Sequence, residues 1–225
     1  MRWTCLGHAC WLVEAGGLRL LFDPLLGQTH HDGVFEVVPR RTVDIEALAP
    51  DLVVVTHRHP DHFDLPSLSR LVRAHPECGL VTSDGLVERA ATALGFPRVI
   101  VLDAMELVDF GALRLLTTPS YTTVQEWGAL LATRDGVAWN QVDTVLKDPA
   151  TVRGVLAAAA PVLGPPARPD GLELGIARWH PLLQVQGVTG QRIGFPTGAY
   201  RGELERVAAL GARAVVPGAA GARYV

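Results

Sequence analysis

The ten residues Val53-Val54-Val55-Thr56-His57-Arg58-His59-Pro60-Asp61-His62 constrain this chain more than any other stretch. An uninterrupted apolar run reads as a strand buried on both faces, and it leads directly into three imidazoles and a carboxylate. A strand of that kind ends at the rim of a sheet, so the polar cluster stands on a rigid support where a loop begins. His57 and His59, two apart in extended backbone, point to one side and can share one ion. Pro60 bends the chain, after which Asp61 and His62 can turn toward a second ion. Imidazole with carboxylate suits zinc, iron or nickel, not magnesium or calcium. Three of the chain's eight histidines in one hexapeptide are too concentrated for a solvated loop, and the segment is read as a metal site.

The flanking pattern defines the elements that would carry this segment. Residues 1–24 read as two or three strands with Gly16-Gly17 at a hairpin turn, and residues 25–50 as a loop over one side of the site. Leu52–Thr56 is a strand. Asp64 caps a helix with Pro66 in its first turn and an apolar stripe of Leu65, Leu68, Leu71 and Val72. Gly79–Ser83 is the next strand, and Asp84 caps a helix over Gly85–Leu94 that stops at Gly95. Val99–Leu102, Glu106–Asp109 and Leu113–Thr117 read as strands. Glu126–Thr133 and Val137–Asn140 form a hairpin about Asp135-Gly136. Thr151–Ala160 is helical, Pro161–Gly171 is a Pro/Gly-rich loop, Gly202–Leu210 is a helix, and Arg213–Val216 is the closing strand.

The pattern His57-x-His59-x-Asp61-His62 resembles the HxHxDH motif of the metallo-β-lactamase fold. Other segments resemble that superfamily in the expected order. Leu6–Glu14 followed by Leu18–Pro24 looks like its opening hairpin, and Trp139-Asn140-Gln141-Val142-Asp143-Thr144 is similar to the strand end that supplies a metal-bridging aspartate. Ala212–Gly218 looks like the last strand before the final ligand loop. The resemblance implies an α/β fold, the αββα sandwich, over residues 1–225 as a single domain. It also implies two divalent ions, with His57, His59, Asp61, His62 and Asp143 among their ligands.

The same resemblance implies two further histidines that this chain lacks. One belongs upstream of Asp143, yet no histidine lies between His75 and His180. Glu126 is the strong ligand type in that region and is expected to take the vacant place. A carboxylate stands there in the diiron β-hydroxylase branch of the fold, which Asn140-Gln141-Val142-Asp143 also resembles. The competing reading of Glu126 is a solvated residue at a strand edge. The other missing histidine is expected near Pro217-Gly218-Ala219-Ala220-Gly221, where no side chain can ligate, leaving the second ion with Asp61, His62, Asp143 and solvent. His8 is read as a hydrogen-bonding partner of a ligand. His30 and His31 stand open between substrate contact and a solvated loop. His75 needs no function at a helix end, and His180 is read as a surface or core residue.

Composition narrows the rest. With 225 residues and 48% hydrophobic content the chain can bury a core, and one domain is expected. A net charge of −3 and a pI near 6.2 argue against nucleic-acid and membrane-surface binding. No long apolar segment and no basic-then-apolar leader stand in the sequence, so a cytoplasmic protein acting on a small-molecule substrate is expected, its oligomeric state open. Cys5, Cys10 and Cys78 are odd in number and lack metal or redox spacing, which argues against a disulfide framework; Cys5 and Cys10 are expected to pack in the first hairpin.

The chemistry expected of such a site is hydrolysis of an ester, lactone, thioester, amide or phosphodiester. Asp61 and Asp143 would orient a water and shuttle its proton. Zinc is the expected ion, with iron or manganese as the alternative. Two other readings stay open: a non-haem diiron oxygenase, and a metal-binding protein whose second site has decayed. No Ser–His–Asp set, P-loop or GxGxxG competes.

Overall fold

The first hairpin closes where the sequence places two glycines. Gly16 and Gly17 take φ of 59° and 82°, and a Cβ on Gly16 would stand 2.8 Å from the Ala112 backbone. Glycine is required there for both conformation and space. The turn joins β2 (Cys10–Ala15) to β3 (Leu18–Phe22), and β1 (Arg2–Gly7) flanks β2 on the other side. These assignments come from a computed structural model that describes residues 1–164, 172–178 and 197–218, and the backbone of 222–224.

The segment expected as loop over residues 25–50 carries short elements: β4 (Thr29–His30), β5 (Phe35–Val37) and a single helical turn, α1 (Ile45–Leu48). No period of 2 or 3.6 runs long enough there to mark them. The apolar strand is β6 (Leu52–Val55), every residue buried. After it come α2 (Leu65–Ala74), β7 (Gly79–Thr82), α3 (Gly85–Leu94), β8 (Val99–Val101), β9 (Leu107–Asp109), β10 (Arg114–Thr118), β11 (Gly128–Thr133) and β12 (Gly136–Asn140). The chain continues through α4 (Pro149–Leu163), β13 (Leu174–Arg178), α5 (Thr197–Ala209), β14 (Ala214–Gly218) and β15 (Ala222–Tyr224).

Two six-stranded sheets result, in the orders β1-β2-β3-β6-β7-β8 and β14-β13-β12-β11-β10-β9, with a small third sheet β15-β5-β4. Alternation of side chains sorts the core into three layers. Trp11, Leu20, Phe22 and Val54 of the first sheet face Leu115, Ala129 and Leu131 of the second, with Leu113 just before β10. The opposite residues of the first sheet, Leu21, Val53, Val55 and Leu80, pack on Leu68, Leu71, Val87 and Ala91 of α2 and α3. Leu116, Leu130 and Trp139 pack on Val152, Val155 and Ala159 of α4, with Val207 of α5 beside them. Helices therefore cover the outer faces of a face-to-face sheet pair, the αββα sandwich.

Both helix caps read from sequence are present: Asp64 accepts from the Ser67 amide and Asp84 from that of Leu86. Several boundaries differ. Leu65 is 47% exposed, and Ser67 takes its place on the buried stripe of α2. The hairpin turn is Arg134–Asp135, since Gly136 already pairs with Thr133 in β12. Helix α4 does not stop at Pro161 but runs to Leu163. Proline there forfeits one amide donor, while buried Ala159 and Leu163 keep the last turn packed. Helix α5 starts at Thr197, five residues before the expected Gly202. Among the described residues no helix is long and apolar enough to cross a membrane.

Candidate metal centre

Strands β3 and β6 lie side by side and parallel, with Phe22 opposite Val54, so both chains leave the sheet at the same edge. One releases Asp23 and the other Thr56 and His57. Asp23 is fully buried and draws its donors together: the Thr56 amide (2.8 Å to Oδ1), the Thr56 hydroxyl (2.9 Å to Oδ2) and His62 Nδ1 (2.9 Å to Oδ2). With its hydroxyl proton given to Asp23, Thr56 accepts from His57 Nδ1 at 3.1 Å. One carboxylate thus fixes two imidazoles with their Nε2 lone pairs directed outward, the arrangement that orients histidine as a ligand.

Those lone pairs meet the other expected donors. His57 Nε2 lies 2.8 Å from His59 Nδ1, and the rings of His57 and His62 are 4.1 Å apart. His62 Nε2 makes no hydrogen bond of normal geometry, yet stands 3.5 Å from Asp61 Oδ2 and 3.4 Å from Asp143 Oδ2. Asp143 arrives from the second sheet, three residues after β12. Val142 before it takes φ 52°, a left-handed conformation costly for a β-branched residue, and Arg178 Nε holds the Asp143 carbonyl at 3.0 Å. His57, His62 and Asp143 offer donor atoms all within 4.8 Å of one another, as do His8, Asp61 and His62.

The charge balance suits a cation. Burial alone would lower the pKa of His62, but Asp143 and Asp23 overcome it and raise the imidazole well above its ordinary value. The carboxylates demand positive charge at that nitrogen, which a proton or a metal ion can supply. His57 is pushed down to about 3, by burial first and then by the neighbouring His62, so its Nε2 is a neutral donor. Burial works to raise Asp61, yet the close His62 imidazole and the hydrogen bond to His8 leave it well below the usual carboxylate range. These residues fit divalent ions: imidazole nitrogens and carboxylate oxygens, the donor types such ions take, converge on one spot.

His57, His59, Asp61, His62 and Asp143 are therefore brought together, and His8 bonds Asp61 through Nε2 at 2.8 Å while also belonging to a donor group with Asp61 and His62. Glu126 lies two residues before β11 and belongs to none of the donor groups. Its carboxylate accepts the Ser120 hydroxyl at 2.5 Å, and burial together with the charge of Asp143 raises its pKa. His75 bonds the Ile45 carbonyl at 2.8 Å, a structural contact. His180, Ala219 and Ala220 lie outside the described residues. Sequence reasoning gave Asp23 no role, although an acid directly after the apolar strand Leu18–Phe22 must find donors when buried. It also left His30 in a solvated or substrate-facing loop. The side chain is buried and stacks on Phe35, ring centroids 5.1 Å apart.

Comparison with known proteins agrees with this architecture. A family model described as a beta-lactamase superfamily domain matches residues 2–147. Protein Rv0786c of Mycobacterium tuberculosis is 34% identical over 97 residues, 43% of this chain and 38% of that protein. A metal-dependent hydrolase of Haloarcula marismortui is 34% identical over 88 residues, 39% of this chain and 30% of its own length. The chain thus spans well under half the length of these curated relatives. Among solved structures, the diiron β-hydroxylase CmlA of Streptomyces venezuelae has a TM-score of 0.64 at 18% identity, covering 96% of this chain and 44% of that one. The metallo hydrolase Igni18 of Ignicoccus hospitalis has a TM-score of 0.60 at 19% identity, covering 96% and 80%. Likeness at that level of identity is likeness of fold.

Proposed function

The chain belongs to the beta-lactamase superfamily domain family, and from that premise we propose that it is a metal-dependent hydrolase with two divalent ions, zinc by preference. Its substrate class is an ester, lactone, amide or phosphoester of a small molecule. The observation that carries this reading is the position of His62 Nε2, oriented by Asp23, flanked by Asp61 and Asp143 at 3.5 and 3.4 Å, and without a hydrogen-bond partner among the described residues. His57 and His59 would hold one ion, Asp61 and His62 the other, with Asp143 between. Divalent ions held there lower the pKa of a water and polarise a carbonyl or phosphoryl oxygen.

The protein groups divide the remaining work. Asp61 Oδ2 is engaged by His8, which makes Asp61 a holding group. Asp143 Oδ2 borders the same spot and is the atom placed to take a proton from an attacking water and return it to the leaving group. Arg178 anchors the Asp143 backbone, so the carboxylate need not reorganise during turnover. His59 is exposed and marks the side from which substrate enters.

The test is turnover of a panel of p-nitrophenyl esters, lactones and phosphodiesters by chelator-treated, zinc-restored and Asp143→Asn protein. Zinc should restore turnover in the parent and not in the variant. Turnover indifferent to chelation would end the reading. A second reading, a diiron oxygenase, would need Glu126 as a ligand; the carboxylate is bonded to Ser120 and lies near enough to His59 and Asp143 for their charges to act on it. Iron-loaded protein that consumes O₂, with zinc-loaded protein inert on the panel, would support that alternative. Protein that binds metal fully and does neither would support the non-catalytic one.

A further inference from the structure

A second cluster of imidazoles adjoins the centre on its N-terminal side. His30 ends β4 and His31 begins the turn to β5. Their Nδ1 atoms face each other 2.7 Å apart, and both rings pack on Phe35. His30 is 7% exposed, and its Nε2 has no hydrogen-bond partner among the described residues, whereas His31 is open to solvent. The His8 ring lies 5.2 Å from that of His30, and its Nδ1 likewise has no partner among them. One donor atom from each of His30, His31 and Asp61 falls within 4.8 Å of the other two.

These facts point the same way. Two ring nitrogens 2.7 Å apart must share a proton or a cation, because two lone pairs repel. A tetrahedral ion with bonds of about 2.0–2.1 Å to nitrogen holds its donors ~3.3 Å apart, so the pair needs to open by only about half an ångström. The turn that presents them is fixed: His31, Asp32 and Gly33 take φ of 50°, 54° and 87° in succession, and His30 pairs with Phe35 across the hairpin. On the far side of that hairpin β5 pairs with β15, which follows β14, so the chain's last described strand joins the same small sheet. No histidine follows His180 in the sequence.

We propose that His30, His31 and Asp61 form a further divalent-cation site beside the principal centre, for an ion of the zinc, cobalt or iron(II) class. Two imidazoles and one carboxylate are a complete protein donor set for such ions and leave positions open to solvent at His31. Asp61 is shared with the principal centre, and the two sites touch through it. The assignment depends on the metal-centre reading in that respect alone.

Cobalt(II) titration of the full chain after chelator treatment tests this, with metal counted by mass spectrometry and followed by visible absorption. The parent should bind one more equivalent than a His30→Ala/His31→Ala variant, while a His57→Ala/His59→Ala variant should retain that equivalent. His31→Ala alone changes an exposed side chain and should fold as the parent does, verified by circular dichroism, yet bind that equivalent at least about tenfold more weakly. A double variant that binds as many equivalents as the parent, at the parent's affinity, overturns the site. If the hairpin variants lose an equivalent and the His57→Ala/His59→Ala variant loses none, this site stands and the principal centre falls. The reverse outcome removes only this one.

Discussion

Asp23 and His62 are joined by a 2.9 Å hydrogen bond between two side chains that have no solvent exposure at all. Through Thr56 the same carboxylate also sets the ring of His57. Two candidate ligands on a loop are thus aimed by one acid just past a neighbouring strand, 33 and 39 residues away in sequence from Thr56 and His62 respectively.

Replacing Asp23 tests that control directly. Asp23→Asn keeps the volume but turns an acceptor into a donor facing Thr56 or His62. Metal affinity should fall by about 10–100-fold. Stability of the metal-free protein should fall by about 1–3 kcal/mol, the cost of leaving a buried polar group unpaired. Chelator-competition titration and urea unfolding read the two effects separately. Unchanged affinity would remove Asp23 from the centre.

His57 and His59 are expected to bind one ion jointly, since their nearest nitrogens are 2.8 Å apart. The His57→Ala/His59→Ala variant should lose at least one equivalent of zinc and remain folded, as checked by elemental analysis and circular dichroism. Full retention of metal would refute the pairing.

Glu126 carries the sequence expectation of a carboxylate in place of a third imidazole. Its pKa is raised by burial and by Asp143, so a nearby cation would stabilise its charged form. Glu126→Gln should weaken the first ion, and Glu126→His should preserve binding while shifting preference from iron toward zinc. Parallel zinc and iron(II) titrations of the variants decide it. Identical metal content and preference in Glu126→Gln would leave the residue as a partner of Ser120 and nothing more.

The three cysteines offer a check on packing. Burial pushes Cys10 and Cys78 up to about 12, and all three thiols are free. At pH 8 the two buried groups are protonated and shielded, while Cys5 is exposed. A disulfide reagent under native conditions should therefore titrate one equivalent rapidly, and three after addition of urea. Three rapid equivalents without urea would show that the outer layers open far more readily than their packing implies.

How far the sequence reached follows from what each signal depends on. Caps at Asp64 and Asp84 and the strand Leu52–Val55 were legible because capping and apolar runs are local. The HxHxDH cluster was legible because its donors are adjacent in the chain. Asp23 was not, since its role arises only when β3 pairs in parallel with β6. His30 was hidden similarly: a two-residue strand has no period to read, and its burial depends on Phe35 and His8 folding around it. The extension of α4 past Pro161 escaped because tertiary packing overrode a local breaker.

His62 and Asp143 stand 3.4 Å apart but descend from different sheets, one beyond β6 and the other beyond β12. A cation gripped by both acts as a rivet through the sandwich, and the folding equilibrium then answers to free metal concentration. At a thousandfold excess over the dissociation constant such a rivet adds about 4 kcal/mol, a large share of what holds an ordinary domain together.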